Sequence, residues 1–328
     1  MPTKSINLIP GKLIAEIKKD TLTKKITLLK NKPNLKIIQI GNNSASSLYV
    51  SLKIKAAQKL GMTAQAIQLN EYNLEQISKK IEEFNDDPNI DGIMIQSPIP
   101  NLNLIKSLEI FNQISPKKDV DGLTSNSLGK LWQLKEFAEI PSGNFFISAT
   151  PLGVLDCLVY LAYARKKQER DLRELIAESL NLEFKLKAEL LTNYLTGKTA
   201  LIINRSNIIG KPLMALLELA NATVTLAHSH SKNLKSDVNS YDFVFTATGI
   251  DHFLGLENFT NNQIIFDLGI NNNNAEQLVK GDVYFDPMKN YPLSEFSLAA
   301  VPGGVGPLTV INLLENVYTA RLKNDLEK

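Results

Sequence analysis

Tyr49 and Lys53 stand four residues apart in a stretch with helical spacing (Tyr49, Leu52, Lys53, Ala56, Leu60), which puts an aromatic ring and an amine on one face. An amine shuttles protons near neutrality only when burial lowers its pKa. On spacing alone Lys53 reads as one more solvated lysine beside Lys55 and Lys59. Gln96 ends the apolar run Gly92–Gln96, where open α/β sheets place ligand-contacting groups, before Pro98 and Pro100 turn the chain away. Lys118-Asp119-Val120-Asp121-Gly122 sets two carboxylates two residues apart beside a glycine. That pattern serves a turn, a cation or a ligand anchor, and the turn is the default reading.

A second constellation follows the apolar strand Ala200–Ile203. The loop Asn204-Arg205-Ser206-Asn207-Ile208-Ile209-Gly210-Lys211-Pro212 leads into a helix, so it offers free backbone N–H groups and a positive dipole end to a pyrophosphate. It is not G-x-G-x-x-G; its position between strand and helix carries the reading. The next strand ends in Ala227-His228-Ser229-His230-Ser231, without the acid that would hold an NAD ribose, whereas Arg205 can face an extra phosphate. NADP is therefore favoured over NAD. Val301-Pro-Gly-Gly-Val-Gly-Pro307 is a glycine-rich turn entering the last helix, open to close backbone approach by a ligand or serving as a tight connection. His228, His230 and His252 lack a supporting carboxylate or cysteine pattern, so no metal is expected, and Cys157, among Val154, Leu155, Leu158 and Leu161, reads as an inert core thiol.

The elements that must position these residues alternate. A helix is expected from Gly11 to Leu29, a strand over Leu35–Ile40 running into Gly41-Asn42-Asn43, and a helix capped by Ser44 or Ser46 and stopped at Gly61. Strands over Thr63–Leu69 and Gly92–Gln96 flank an amphipathic helix over Leu74–Phe84. From Pro116 to Pro151 the pattern is irregular and reads as the passage to a second domain. Strands over Ala200–Ile203, Thr223–Ala227, Phe243–Ala247 and Ile264–Leu268, with a helix over Pro212–Leu219, then suit a nucleotide-binding α/β domain. A charged helical stretch, Arg165 to Leu191, precedes them.

The chain has 328 residues, 44% of them hydrophobic and 21% charged, enough for a large core or two domains. A net charge of +2 supplies no basic stripe, so nucleic acid is not an expected partner. The absence of an apolar leader or an 18-residue apolar run argues against export or a membrane span. With one cysteine, the expected home is the reducing cytoplasm.

In combination, Tyr49-Val50-x-x-Lys53, Asp91-Gly-Ile-x-x-Gln96-x-Pro-x-Pro100, Lys118-Asp-Val-Asp-Gly122, Thr150-Pro-x-Gly153, Arg205-Ser-x-Ile-x-Gly210-x-Pro212, Asp267-x-Gly-Ile-Asn271, Gly281-Asp-Val283 and Val301-Pro-Gly-Gly-Val-Gly-Pro-x-Thr309 resemble the bifunctional methylenetetrahydrofolate dehydrogenase/methenyltetrahydrofolate cyclohydrolase family. The resemblance spans nearly the whole chain. It implies a two-domain α/β fold with a cleft between a folate-binding catalytic domain (1–147, completed by the helix 307–328) and a Rossmann-like NADP domain (148–306) carrying the charged insertion near 165–191. It implies a homodimer working in one-carbon metabolism without a metal. Lys53 would move protons and activate water, Gln96 would tune it, Tyr49 would stack on the folate and Asp121 would hold the pterin, with Pro302 and Gly303 adding substrate contacts. Asn204, Arg205, Ser206, Ile209, Ser231, Gly269 and Ile270 would contact NADP.

The departures from the family pattern fall mainly on the cofactor side: Asn204 stands where the family has glycine, and His230 where a basic residue often follows His-Ser. A cyclohydrolase with weakened dehydrogenase activity, or a non-catalytic folate- or nucleotide-binding scaffold recruiting a partner through the charged stretch, are the alternatives.

Overall fold

The computed structural model describes residues 6–41, 44–69, 74–97, 99, 104–167, 170–273, 278–286 and 296–326. Asn42, Asn43, Pro98 and Pro100, named above, lie outside them, as do residues 168–169 of the charged stretch. In chain order the first elements are β1 (Asn7–Leu8), α1 (Gly11–Thr27), β2 (Asn34–Ile40), α2 (Ser44–Lys59), β3 (Thr63–Leu69), α3 (Leu74–Asp86), β4 (Gly92–Ile95), α4 (Leu104–Phe111) and α5 (Ser125–Gln133). There follow α6 (Ala149–Ala164), α7 (Leu172–Asn181), α8 (Phe184–Leu195), β5 (Thr199–Ile203), α9 (Gly210–Leu219), β6 (Thr223–Ala227), α10 (Leu234–Asp237), β7 (Phe243–Thr246), β8 (Ile264–Asp267), β9 (Asn271–Asn273), β10 (Leu278–Lys280), β11 (Ser297–Ala299) and α11 (Gly306–Leu326).

The chain divides into two compact units. One comprises Lys18–Gln133, Ser142–Ala149 and Val310–Lys328. Its sheet has three parallel strands in the order β3-β2-β4, with Ile38 paired to Ile67 on one side and to Ile95 on the other. Helix α3 turns Ile77, Ile81 and Phe84 inward at helical spacing, and they join Ile38, Ile40, Ile93 and Ile95 in one core. The last helix contributes Asn316, whose amide donates to the carbonyls of Val120 and Ile147 at 2.8 and 2.9 Å.

The other unit comprises Met1–Ile17, Leu134–Pro141 and Thr150–Thr309. Its main sheet has six strands, all parallel, in the order β1-β11-β8-β7-β5-β6, beside the antiparallel pair β9-β10. Buried Leu201, Ile203, Val244, Ile265 and Leu298 form the centre of its core. Strand order reverses between β5 and β7, and in such sheets ligands bind outside the carboxyl ends of the strands at that point. The first residues group with this unit because β1 pairs with β11, a contact nearly 300 positions apart in sequence: Asn7 with Ser297 and Leu8 with Leu298.

Several local expectations are corrected. Helix α2 begins at Ser44, so Ser46 falls inside it. The segment from Pro116 to Pro151 is not wholly irregular, since α5 lies within it, burying Ser127 and Leu131. The charged stretch is two helices, α7 and α8, with Asp171 capping the first through the Arg173 and Glu174 N–H groups. They are packed into the unit rather than appended to it. Helix α8 buries Ala188, Leu190, Leu191 and Leu195, and its Tyr194 meets Phe243 edge-on at 5.9 Å.

Candidate active site

Lys53 is half-buried, unlike exposed Lys55 and Lys59, so the solvated-lysine reading does not hold. Helix α2 carries it toward the carboxyl end of β4, where its Nζ donates to Gln96 Oε1 at 3.0 Å and approaches Met94 Sδ at 3.5 Å. Gln96 is buried; its amide nitrogen donates to the Ser97 carbonyl at 2.8 Å, which leaves the side-chain oxygen aimed at the lysine. Burial lowers the Lys53 pKa, and the nearby Asp121 charge raises it. Burial likewise pushes Asp121 up to about 6, which Lys53 opposes and Asp119 reinforces. Burial thus works against the charged form of both groups, and the amine interacts electrostatically with a carboxylate whose pKa is elevated. Tyr49 sits one turn earlier on α2, half-buried.

The Lys118–Gly122 segment divides its labour. Buried Lys118 donates to the carbonyls of Phe84, Asn85 and Asp87 at 2.8, 2.7 and 2.7 Å, closing the end of α3. Asp119 accepts from the Leu123 and Thr124 N–H groups and from the Thr124 and Ser127 hydroxyls. Both are consumed in building the turn. Gly122 holds a φ of +65°, and a Cβ there would stand 2.6 Å from the Phe146 carbonyl oxygen, so only glycine lets the chain turn after Asp121. The turn reading is right for Lys118 and Asp119, and Asp121 is the residue it presents to Lys53.

At the carboxyl rim of the six-stranded sheet, Arg205 follows β5 and is exposed, and Ser231 closes the turn after the neighbouring β6 by accepting from the His228 N–H at 3.0 Å. No carboxylate lies in the β6 turn Ala227–Ser231, so the sequence and rim suit a phosphate better than a bare ribose hydroxyl. Gly269 and Ile270 leave the end of β8. Ile208, Ile250 and Ile270, in the loops after β5, β7 and β8, are exposed. The sequence names Ile208 only as part of the loop after β5 and does not single out Ile250, because an exposed isoleucine carries no pattern until the rim is assembled.

One expectation about the loop changes. The amides offered to a pyrophosphate are largely engaged by the loop itself. Asn204 Oδ1 accepts from the Ser206 and Gly210 N–H groups at 2.8 and 3.1 Å, and Ser206 Oγ accepts from Ile209 at 3.1 Å. Pro302 and Gly303 belong to the same unit as this rim, where the Gly303 carbonyl accepts from the Lys12 N–H at 2.8 Å, and not to the unit holding Lys53. Among the described residues, no group of three or more His, Cys, Asp or Glu could hold a metal ion, and no helix is long and apolar enough to cross a membrane.

Comparison with known proteins gives two successive family matches along the chain. The family model "Tetrahydrofolate dehydrogenase/cyclohydrolase, catalytic domain" matches residues 9–121, and "Tetrahydrofolate dehydrogenase/cyclohydrolase, NAD(P)-binding domain" matches residues 186–325. The second match begins within α8, so the end of the charged stretch falls inside the family's own cofactor domain. The chain is 34% identical over 322 residues to the bifunctional protein FolD of Streptococcus thermophilus, covering 97% of this chain and 98% of that relative. It is 35% identical to that of Wolbachia pipientis over 318 residues, 95% of this chain and 94% of that relative. A crystal structure of the bifunctional 5,10-methylenetetrahydrofolate dehydrogenase/cyclohydrolase from Thermoplasma acidophilum superposes with a TM-score of 0.76 at 30% identity, covering 98% of this chain and all of that one.

Proposed function

This chain belongs to the tetrahydrofolate dehydrogenase/cyclohydrolase family, and from that premise we propose that Lys53, Gln96 and Asp121 are the proton-handling and substrate-holding groups of a bifunctional folate enzyme. The enzyme oxidises methylenetetrahydrofolate to methenyltetrahydrofolate and hydrolyses that product to formyltetrahydrofolate. The observation that carries the assignment is the half-buried Lys53 amine, 3.0 Å from Gln96 Oε1 and in electrostatic range of Asp121.

NADP, when bound, supplies the hydride acceptor. The chain's own contribution to the first step is alignment, since the methylene carbon needs only to be held against the acceptor to yield a resonance-stabilised methenyl cation. Tyr49 stacks on the folate, and Asp121 accepts hydrogen bonds from the pterin. In the second step water adds to the methenyl carbon. Neutral Lys53 takes the first proton that the water loses, and the resulting ammonium returns a proton to the ring nitrogen as its bond to that carbon breaks, while the remaining hydroxyl proton leaves to solvent as the formyl C=O forms, so one proton is released overall. Gln96 Oε1 orients the amine throughout and stabilises its protonated form.

NADP is preferred to NAD because Arg205 and Ser231, after adjacent strands, meet the extra phosphate without a competing acid. Asn204, Ser206, Ile209, Gly269 and Ile270 complete the cofactor contacts, and Pro302 and Gly303 add substrate contacts. The unit that holds Lys53 serves the folate and the unit of the six-stranded sheet the cofactor, so the first seventeen residues, expected with the folate domain 1–147, go with the cofactor unit. The enzyme works as a homodimer in the cytoplasm. A narrower reading, a cyclohydrolase with weakened dehydrogenase activity, draws support from Asn204, whose side chain holds the Gly210 N–H at the helix start. Supplying methenyltetrahydrofolate without cofactor tests the core assignment. The parent protein hydrolyses it and Lys53→Met does not, while still binding folate; unchanged turnover in the variant would remove Lys53 from the reaction.

A further inference from the structure

Asp282, in the Gly281-Asp-Val283 segment, is completely buried between the loops that leave β7 and β8, and is not among the residues assigned above a contact with substrate or cofactor. Its Oδ2 accepts from the Thr246 hydroxyl at 2.8 Å and from the Thr248 N–H, and its Oδ1 accepts from the Gly249 N–H at 3.1 Å and from Asn271 Nδ2 at 3.3 Å. Four donors from two loops thus converge on one side chain. Only an acceptor-only group with several lone pairs can satisfy such a set. The Asp282 N–H is itself held at 3.0 Å by Oδ1 of Asp267, the last residue of β8, which also accepts from Gly269 at 3.0 Å, while its Oδ2 takes the Val283 N–H at 3.0 Å. The packing is close: a Cβ on Gly269 would stand 2.1 Å from Asp282 Oδ1.

The lattice extends to the third loop of the rim. Asn204 Nδ2 donates to the Ala247 carbonyl at 2.7 Å, spanning the ends of β5 and β7 where the strand order reverses. Ala247 lies between Thr246 and Thr248, both held by Asp282. The three loops that carry Ile208, Ile250 and Ile270 are therefore tied to one another by side chains, beside the backbone bonds from the Ala247 N–H to the Ile203 carbonyl and from the Leu268 N–H to the Thr246 carbonyl.

We infer that Asp282 is a positioning residue for the dehydrogenase reaction: its carboxylate fixes the loops after β7 and β8 in the conformation that receives the nicotinamide cofactor. The inference rests on the functional reading above, because it assigns these loops to the cofactor. It separates Asp282 from the proton chemistry at Lys53, which needs no cofactor. Asp282→Asn places an amide donor among four donors, and Thr246→Val removes one of the four while leaving the carboxylate.

The test uses the full-length protein. Steady-state kinetics with varied NADP, hydrolysis of methenyltetrahydrofolate without cofactor, and amide hydrogen exchange of the loops after β7 and β8 are compared with the parent. Asp282→Asn is expected to raise the KM for NADP at least tenfold and to speed exchange at Thr248 and Gly249 at least tenfold, with the cofactor-free hydrolysis within twofold of the parent. Thr246→Val is expected to shift the same two quantities in the same direction by a smaller factor. It carries the test alone if Asp282→Asn does not fold. An unchanged NADP KM, or a parallel fall of both activities in every variant that folds, would overturn the inference. A parent that reduces neither NADP nor NAD would instead defeat the functional reading, and the exchange comparison would still decide whether Asp282 holds the loops.

Discussion

The role proposed for Lys53 depends on its neighbours. Sequence spacing showed that Lys53 shares a helix face with Tyr49 but could not distinguish it from Lys55 or Lys59. What distinguishes it is burial and the Gln96 oxygen at 3.0 Å, contributed from a strand 43 positions away. Removing the amine by Lys53→Met should lower the cyclohydrolase rate by about 10²-fold or more, the usual scale of a proton-transfer group, in a stopped-flow assay of methenyltetrahydrofolate. The Asp121 charge raises the Lys53 pKa, so Asp121→Asn should let it fall further. If neutral Lys53 takes the proton, the rising limb of kcat against pH then moves to lower pH in Asp121→Asn; a limb that stays put or moves up would contradict the coupling. Conversely, Lys53 lowers Asp121, so in Lys53→Met a carboxylate titration followed by NMR should find Asp121 above about 6. Arg205 belongs to the same scale. A charge-assisted bond to phosphate contributes about 1.5–3 kcal/mol, so Arg205→Ala should raise the KM for NADP roughly tenfold to a hundredfold and that for NAD little. Equal losses would show that Arg205 does not read the extra phosphate.

Elements were legible where one local period decided them. Strands β2, β3 and β4 and helices α1 and α3 lie close to their expected positions because burial on these elements follows the apolar pattern along the sequence. Elements that exist only through distant partners were not legible. Strand β1 has two residues and β11 three, and neither carries a pattern before Leu8 meets Leu298. Helix α5 was hidden in a Gly- and Ser-rich segment, where Asn112 Oδ1 accepts from the Ser125 N–H and sets its start. The Asp121 turn is likewise fixed from afar, since Asn316 on α11 holds the carbonyls of Val120 and Ile147. Asn316→Ala leaves these two buried acceptors without that partner and should cost about 2 kcal/mol in chemical denaturation. Because Val120 precedes Asp121, the variant should also raise the KM for methenyltetrahydrofolate; an unchanged KM would detach the turn from substrate binding.

At the scale of the whole molecule, the chain joins two α/β units, the main sheet of each built of parallel strands, with a family catalytic match over residues 9–121 and an NAD(P) match over 186–325. The order of motifs along the sequence made that division readable, although each motif alone was weak. The interlocked loops at the cofactor rim were not readable, because Asp282 and Thr246 are ordinary residues until the sheet brings them within 2.8 Å. The same full-length coverage by relatives argues against a pure scaffold, as does the burial of α7 and α8 in the unit's core. The proposed homodimer predicts twice the chain mass by sedimentation at micromolar concentration. The central claim is that one chain carries both folate reactions. Its most direct test is a single absorbance time course of the purified protein with methylenetetrahydrofolate and NADP, repeated with NAD, following reduced nicotinamide and the folate products together. Reduced NADP should rise with transient methenyltetrahydrofolate and then formyltetrahydrofolate, faster than with NAD. Hydrolysis of added methenyltetrahydrofolate without any cofactor reduction would contradict the account.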